Sequence, residues 1–126
     1  MLYVTDTHAL VWYVNGTLPK VVDDIFKSAE NGESTLFIPT IVLAECLYLV
    51  ENKKIDLDFD DLLKRIEMSR TFIPTSFNFQ LMKLLPEIRV GELHDRIIVA
   101  TAKILNAKLI TKDKEIKNAG VVTIVW

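Results

Sequence analysis

Short apolar runs rich in β-branched residues alternate along this 126-residue chain with segments whose apolar positions recur at helical spacing. Leu2-Tyr3-Val4-Thr5 predicts a first strand that ends at Asp6. A short helical stretch, His8 to Val14, closes at the Asn15-Gly16 turn, and Pro19 suits the first position of a helix carrying Val21, Val22, Ile25, Phe26 and Ala29. Leu36-Phe37-Ile38 predicts the second strand, and Pro39-Thr40 opens an apolar helix to about Leu49. Phe59, Leu62, Leu63 and Ile66 make an amphipathic helix, Thr71 to Pro74 a third strand, and Leu81, Leu84, Leu85 and Ile88 another helix. A mostly buried helix follows from Asp95 to Asn106, then a strand at Lys108 to Thr111 and a last strand at Val121 to Val125. Strands alternating with helices are the signature of βαβ units, so the expected fold class is α/β with a central, mainly parallel sheet.

The length fits one domain, residues 1–126, and the 50% hydrophobic content with only four glycines and four prolines fits a packed core rather than disorder. A net charge of −2 and a pI near 5.7 argue against gripping nucleic acid by bulk positive charge, while leaving room for local basic patches. Cys46 is the single cysteine, so no intramolecular disulfide is possible. Met1 to Val14 lacks the basic start and cleavage site of a signal peptide. The charge-free run from Ser34 to Ala44 falls short of the ~20 apolar residues that span a bilayer. A soluble, cytoplasmic protein with no membrane partner is expected.

Placing the acids on this scaffold is the informative step. Asp6 follows the first strand and Asp113 the strand ending at Thr111. Parallel strands all end on one edge, and crossover helices start from that edge, which puts Asp95 and Glu45 there as well. Asp6, Asp95 and Asp113 each also suit a helix N-cap. Glu45 does not: its helical neighbours are Ile41, Val42, Tyr48 and Leu49, with no lysine or arginine within a turn, so an inward-facing carboxylate there needs a partner. A metal ion shared with the other acids supplies one, and oxygen-only ligands suit Mg²⁺ or Mn²⁺. His8 and His94 lack metal-motif spacing and are expected to be structural or rim residues. Arg96, Lys112 and Lys114 stand beside the acids, either as phosphate contacts or as ordinary surface charge. Trp12, Tyr13 and Tyr48 suit packing more than base stacking, and Cys46 a small buried hydrophobe.

The segments Val4 to Leu10, Ile41 to Glu45, Leu93 to Ala102 and Leu109 to Asp113 resemble, in order and spacing, the four acidic motifs of PIN domains, above all the small VapC-type toxins. That resemblance covers essentially the whole chain. It implies an α/β/α sandwich and a ribonuclease site with Asp6, Glu45, Asp95 and Asp113 as the acidic quartet and Thr111 as a supporting hydroxyl. It further implies one or two Mg²⁺ or Mn²⁺ ions on Asp6, Asp95 and Asp113, an RNA substrate cut to leave 5′-phosphate and 3′-hydroxyl ends, a cognate antitoxin and a homodimer. The dimer surfaces it suggests are the helices at Val21 to Ala29 or Phe59 to Ile66. Glu45 either binds metal or positions water.

Other classes fit less well. A receiver domain needs paired acids after its first strand, and a haloacid-dehalogenase-type phosphatase needs Asp-x-Asp where this chain has Asp6-Thr7-His8. The motifs GxGxxG, GxxxxGK and GxSxG are absent. The remaining rival is an RNA-processing or regulatory PIN-fold module with little or no nuclease activity, against which the intact quartet counts.

Overall fold

A computed structural model describes residues 1–126. Five strands, β1 (Leu2–Thr5), β2 (Thr35–Pro39), β3 (Phe72–Thr75), β4 (Lys108–Ile110) and β5 (Ile124–Val125), form one sheet in the order β3-β2-β1-β4-β5. Every neighbouring pair is parallel, so the sheet is parallel throughout. Seven helices cross between the strands. They are α1 (Thr7–Asn15), α2 (Lys20–Glu30), α3 (Thr40–Glu51), α4 (Phe59–Met68), α5 (Phe79–Leu84), α6 (Leu93–Ile104) and α7 (Lys114–Ala119). No helix is long and apolar enough to cross a membrane.

The strand order explains where a site can form. The chain runs outward from β1 through β2 to β3, then returns to place β4 on the other side of β1. Where the direction of winding reverses, the loops leaving two adjacent strands diverge and open a crevice at their carboxyl ends. Here those strands are β1 and β4, which lead directly into Asp6 and Thr111.

Both faces of the sheet are covered, which is why its strands are apolar runs rather than alternating ones. Val4, Leu36, Ile38, Leu109 and Ile110 are fully buried. An aromatic cluster closes one side: the Tyr13 ring stacks on Phe26 at 4.4 Å, and Phe72 meets Phe26 edge-to-face at 6.4 Å. The Tyr13 hydroxyl donates to the Glu30 carboxylate; burial, and then this acid partner, push its acidity well down. Tyr13 is therefore a packing residue, as is Cys46, fully buried with its thiol pushed up to about 12 by desolvation. Tyr48 points outward and is exposed.

Several boundaries differ from the sequence reading, each for a local reason. Pro19 is the N-cap of α2 rather than its first residue. The helix expected from Leu81 to Ile88 divides into α5 and a 3-10 turn at Leu85–Glu87, because Pro86 supplies no amide to continue the ladder. The last strand shrinks to Ile124 and Val125, which pair with Leu109 and Ile110 of β4. Helix α6 begins at Leu93, two residues before the expected Asp95.

Candidate active site

Three acids of the quartet are set by element ends. Asp6 leaves β1 with its amide on the Ile110 carbonyl (3.2 Å), which ties the ends of β1 and β4 together. Its Oδ1 accepts from the Ala9 amide at 2.8 Å and caps α1. Asp113 repeats the device after β4: its Oδ1 accepts from the amides of Glu115 (2.8 Å) and Ile116 (3.1 Å) and caps α7. Both acids are N-caps, and each cap engages Oδ1 alone. The cap reading does not exclude a role in the cleft, because the cap bonds use one oxygen of each carboxylate.

Asp95 is not an N-cap. It sits in the first turn of α6, where its Oδ2 accepts from the Glu92 amide at 3.4 Å. Glu45 lies in the second turn of α3. Asp6, Glu45, Asp95 and Asp113 all line one cleft of about 610 Å³, whose thirteen lining residues include a single hydrophobic one, Ile98. Thr111 lies in its floor, almost fully buried, and its Oγ1 accepts from the Asp113 amide at 3.2 Å.

The electrostatics of the cleft are those of crowded anions. Burial raises the pKa of Asp6, and Asp95 adds to the rise; the Thr111 hydroxyl, the Ala9 amide and His8 oppose it. Burial also raises Asp95, with Asp113 and Glu92 adding repulsion against the attraction of His94. Asp6, Asp95 and Asp113 are therefore linked by mutual repulsion, a state that a cation relieves.

Two expectations need correction. Glu45 was expected to be an inward-facing acid lacking a cation. It is half-buried, and His94 Nε2 stands 3.3 Å from its Oε2. The imidazole comes from α6, too far away in sequence for a search along one helix to find. His94 also lies 3.4 Å from Asp95 Oδ1 and 3.5 Å from Glu92 Oε2, so it bridges three acids. Arg96 does not face the cleft. Its guanidinium donates to the carbonyls of Ile88 (2.6 Å) and Leu85, clamping the segment before α6. Lys112 and Lys114 do line the cleft. Arg96→Ala is expected to destabilise the protein by about 1–3 kcal/mol, because two inward carbonyls lose their donor. Chemical denaturation checks this, and unchanged stability with weaker RNA binding would return Arg96 to the substrate contacts.

Glu92, Glu115 and Gly91 complete what the sequence reading missed. Gly91 has φ +57°, and a Cβ on it would stand 2.7 Å from Asp95 Oδ2. Its amide donates to Glu115 Oε1 at 3.3 Å. Glycine is required here twice, for the left-handed backbone and for room beside the Asp95 carboxylate. Gly91→Ala is expected to cost about 1–3 kcal/mol and to displace Asp95. The readout is a fall in thermal midpoint together with lost cleavage, and a variant equal to wild type in both would contradict it.

As they stand, no three histidine, cysteine or acidic side chains converge closely enough to grip an ion. The donor set nevertheless fits a hard divalent cation. It is built of carboxylate oxygens that repel one another, and beside Asp6 the buried Thr7 hydroxyl, also in the cleft wall, has no hydrogen-bond partner.

Against this geometry, the family model that matches is that of the PIN domain, over residues 3–122. The chain belongs to the PIN-domain family. Among solved structures this PIN domain is similar to VapBC2 from Rickettsia felis bound to a DNA fragment from their promoter, with 22% identity and a TM-score of 0.73 over 99% of this chain and 98% of that one. It is also similar to DNA-bound VapBC from Salmonella typhimurium (15% identity, TM-score 0.69, 99% and 98% covered). A toxin–antitoxin complex from Klebsiella pneumoniae is a third (19%, 0.64, 98% and 96%). At such identities the likeness is one of fold. Among curated proteins no match is found.

Proposed function

We propose that this PIN domain is a divalent-metal-dependent endoribonuclease and the toxin of a toxin–antitoxin pair. The observation that carries the reading is the gathering of four acids from four separate segments into one polar cleft at the winding reversal of the sheet, with Asp6 held at raised pKa by burial and then Asp95, and Asp95 by burial and then Asp113. PIN domains are generally nucleases, which supports hydrolysis as the reaction class.

In this reading Asp6 and Asp95 hold Mg²⁺ or Mn²⁺, one ion or two, and Asp113 joins them directly or through water. A divalent ion so placed lowers the pKa of bound water and neutralises charge on the leaving oxygen. The protein's own groups do the rest. The caps on α1 and α7 fix the rotamers of Asp6 and Asp113, so no ordering is needed when substrate arrives. Thr111 braces Asp6 and Asp113 together. Glu45, oriented by His94, binds the ion or positions the attacking water. Lys112 and Lys114 stand at the mouth, where a polyanionic strand enters.

The partner in this reading is a small antitoxin that sets an arginine into the acidic cleft, where charge-assisted pairing substitutes for the metal. The VapBC and toxin–antitoxin complexes among the structural neighbours support that partner. A homodimer belongs to the same reading; α2 and α4 leave Val21 and Leu63 exposed for it. The test is cleavage of single-stranded RNA, with DNA of the same sequence alongside, in Mg²⁺, Mn²⁺ or EDTA. Metal-dependent cutting of RNA is expected. Cleavage that survives EDTA would sink the metal, and cleavage of DNA alone would sink the substrate.

A further inference from the structure

Lys112 follows Thr111 directly at the carboxyl end of β4 and lines the same cleft as Asp6, Asp95 and Asp113. Its ammonium nevertheless forms no ion pair with any of them. Instead Lys112 Nζ lies 4.2 Å from the centroid of the Trp12 ring. A long, flexible lysine among under-compensated carboxylates collapses onto one of them unless something else holds it. The negative face of an indole attracts an ammonium, and the apolar stem packs along the ring.

Trp12 is itself fixed. It sits in the second turn of α1, and Trp126 meets it edge-to-face, with centroids 5.6 Å apart and planes at 62°. The amide of Thr111 donates to the Val125 carbonyl at 3.2 Å, which locks the end of β5, and hence Trp126, beside the end of β4. Trp12 is thus flanked by groups that follow two further strands, Lys112 after β4 over its ring and Trp126 after β5 against its edge. Trp12 itself is not one of the residues that line the cleft.

We infer that Trp12 is a positioning residue, whose ring holds the Lys112 ammonium off the carboxylates and at the rim, where it meets a phosphate of the RNA strand next to the one being cut. The inference rests on the nuclease reading. Without the ring, Lys112 falls onto Asp6 or Asp113 and competes with the divalent ion, so the ring guards metal affinity and substrate affinity together.

The test is Mn²⁺ titration calorimetry and steady-state RNA cleavage on the full chain, comparing wild type, Trp12→Leu, Trp12→Phe, Lys112→Met and the Trp12→Leu/Lys112→Met double variant. Trp12→Leu is expected to weaken Mn²⁺ binding about 5-fold, and Trp12→Phe, which keeps an aromatic face, to lose little. Lys112→Met is expected to leave Mn²⁺ binding intact and to raise KM for RNA about 5-fold, with a smaller effect on kcat. In the double variant Mn²⁺ affinity returns to the wild-type value, because the competing ammonium has gone. A loss that persists in the double variant shows that Trp12 only packs, and overturns the inference. So does a Trp12→Leu protein that binds Mn²⁺ like wild type, while the nuclease reading stands. Folded wild type that binds no Mn²⁺ overturns both. Should Trp12→Leu not fold, Lys112→Met decides: an unchanged KM for RNA overturns the inference.

Discussion

Asp95→Asn is expected to lower the rate of RNA cleavage by about 10³-fold or more, the scale of losing a charge-stabilising group from a preorganised site, while the fold survives. The substitution keeps the shape of the side chain and an oxygen able to accept from the Glu92 amide. What it removes is one negative charge from a cleft whose acids already repel each other. Asp6→Asn makes the same point with a sharper control. Asp6 caps α1 through the Ala9 amide, and asparagine caps a helix about as well as aspartate. A cap-only role leaves activity untouched by the change, whereas a metal-binding role abolishes it. Single-turnover cleavage with far-ultraviolet circular dichroism separates the two, and a loss below about 10-fold in both folded variants would contradict the assignment.

The same variants are expected to be more stable than wild type when metal is absent. Folded Asp6 and Asp95 have raised pKa values, so the folded state holds their protons more tightly than the unfolded chain, whose reference value is 3.8. Their favourable contribution is fully present below the unfolded value and is lost as pH rises through the folded ones. The metal-free wild type should therefore lose stability relative to either Asn variant between acid and neutral pH. At neutral pH each variant should melt higher, by about 1 kcal/mol or roughly 4 °C, the usual yield of relieving one unfavourable charge. Divalent metal reverses the order. At a hundred times its dissociation constant an ion that binds only the native state stabilises wild type by about 2.7 kcal/mol, and the variants by much less. Differential scanning calorimetry across pH, with and without Mn²⁺, reads both effects. Variants that melt lower than metal-free wild type, or that gain as much from Mn²⁺, would contradict the picture of repelling acids awaiting a cation.

Much of this was legible in the sequence because it depends on period and punctuation. The alternation of β-rich runs with helical spacing specified a parallel sheet, and a parallel sheet forces Asp6 and Asp113 onto one edge whatever the strand order. The helices after Pro39 and before Lys108 then brought in Glu45 and Asp95. Positions fixed by neighbours distant in sequence were not legible. Nothing within a turn of Glu45 foretells His94, which reaches it from another helix. Gly91 reads as a loop glycine until the Asp95 carboxylate is seen 2.7 Å from its missing Cβ. Arg96 stands beside Asp95 in sequence, but consecutive helical residues point in different directions, and it is turned to the Leu85 and Ile88 carbonyls instead. The burial of Glu45 was overestimated for a related reason. Its apolar neighbour Tyr48 was read as facing inward, yet that side chain is exposed, so an apolar surrounding in sequence was not an apolar surrounding in space.

The claim at the centre is that the acids of the cleft share a divalent ion. Titration calorimetry of Mn²⁺ into folded, metal-free wild type and Asp95→Asn tests it most directly. Saturable binding to wild type is expected, weakened in the variant by about 10-fold or more. Equal affinity in both proteins, or folded wild type that takes up no Mn²⁺, would contradict it.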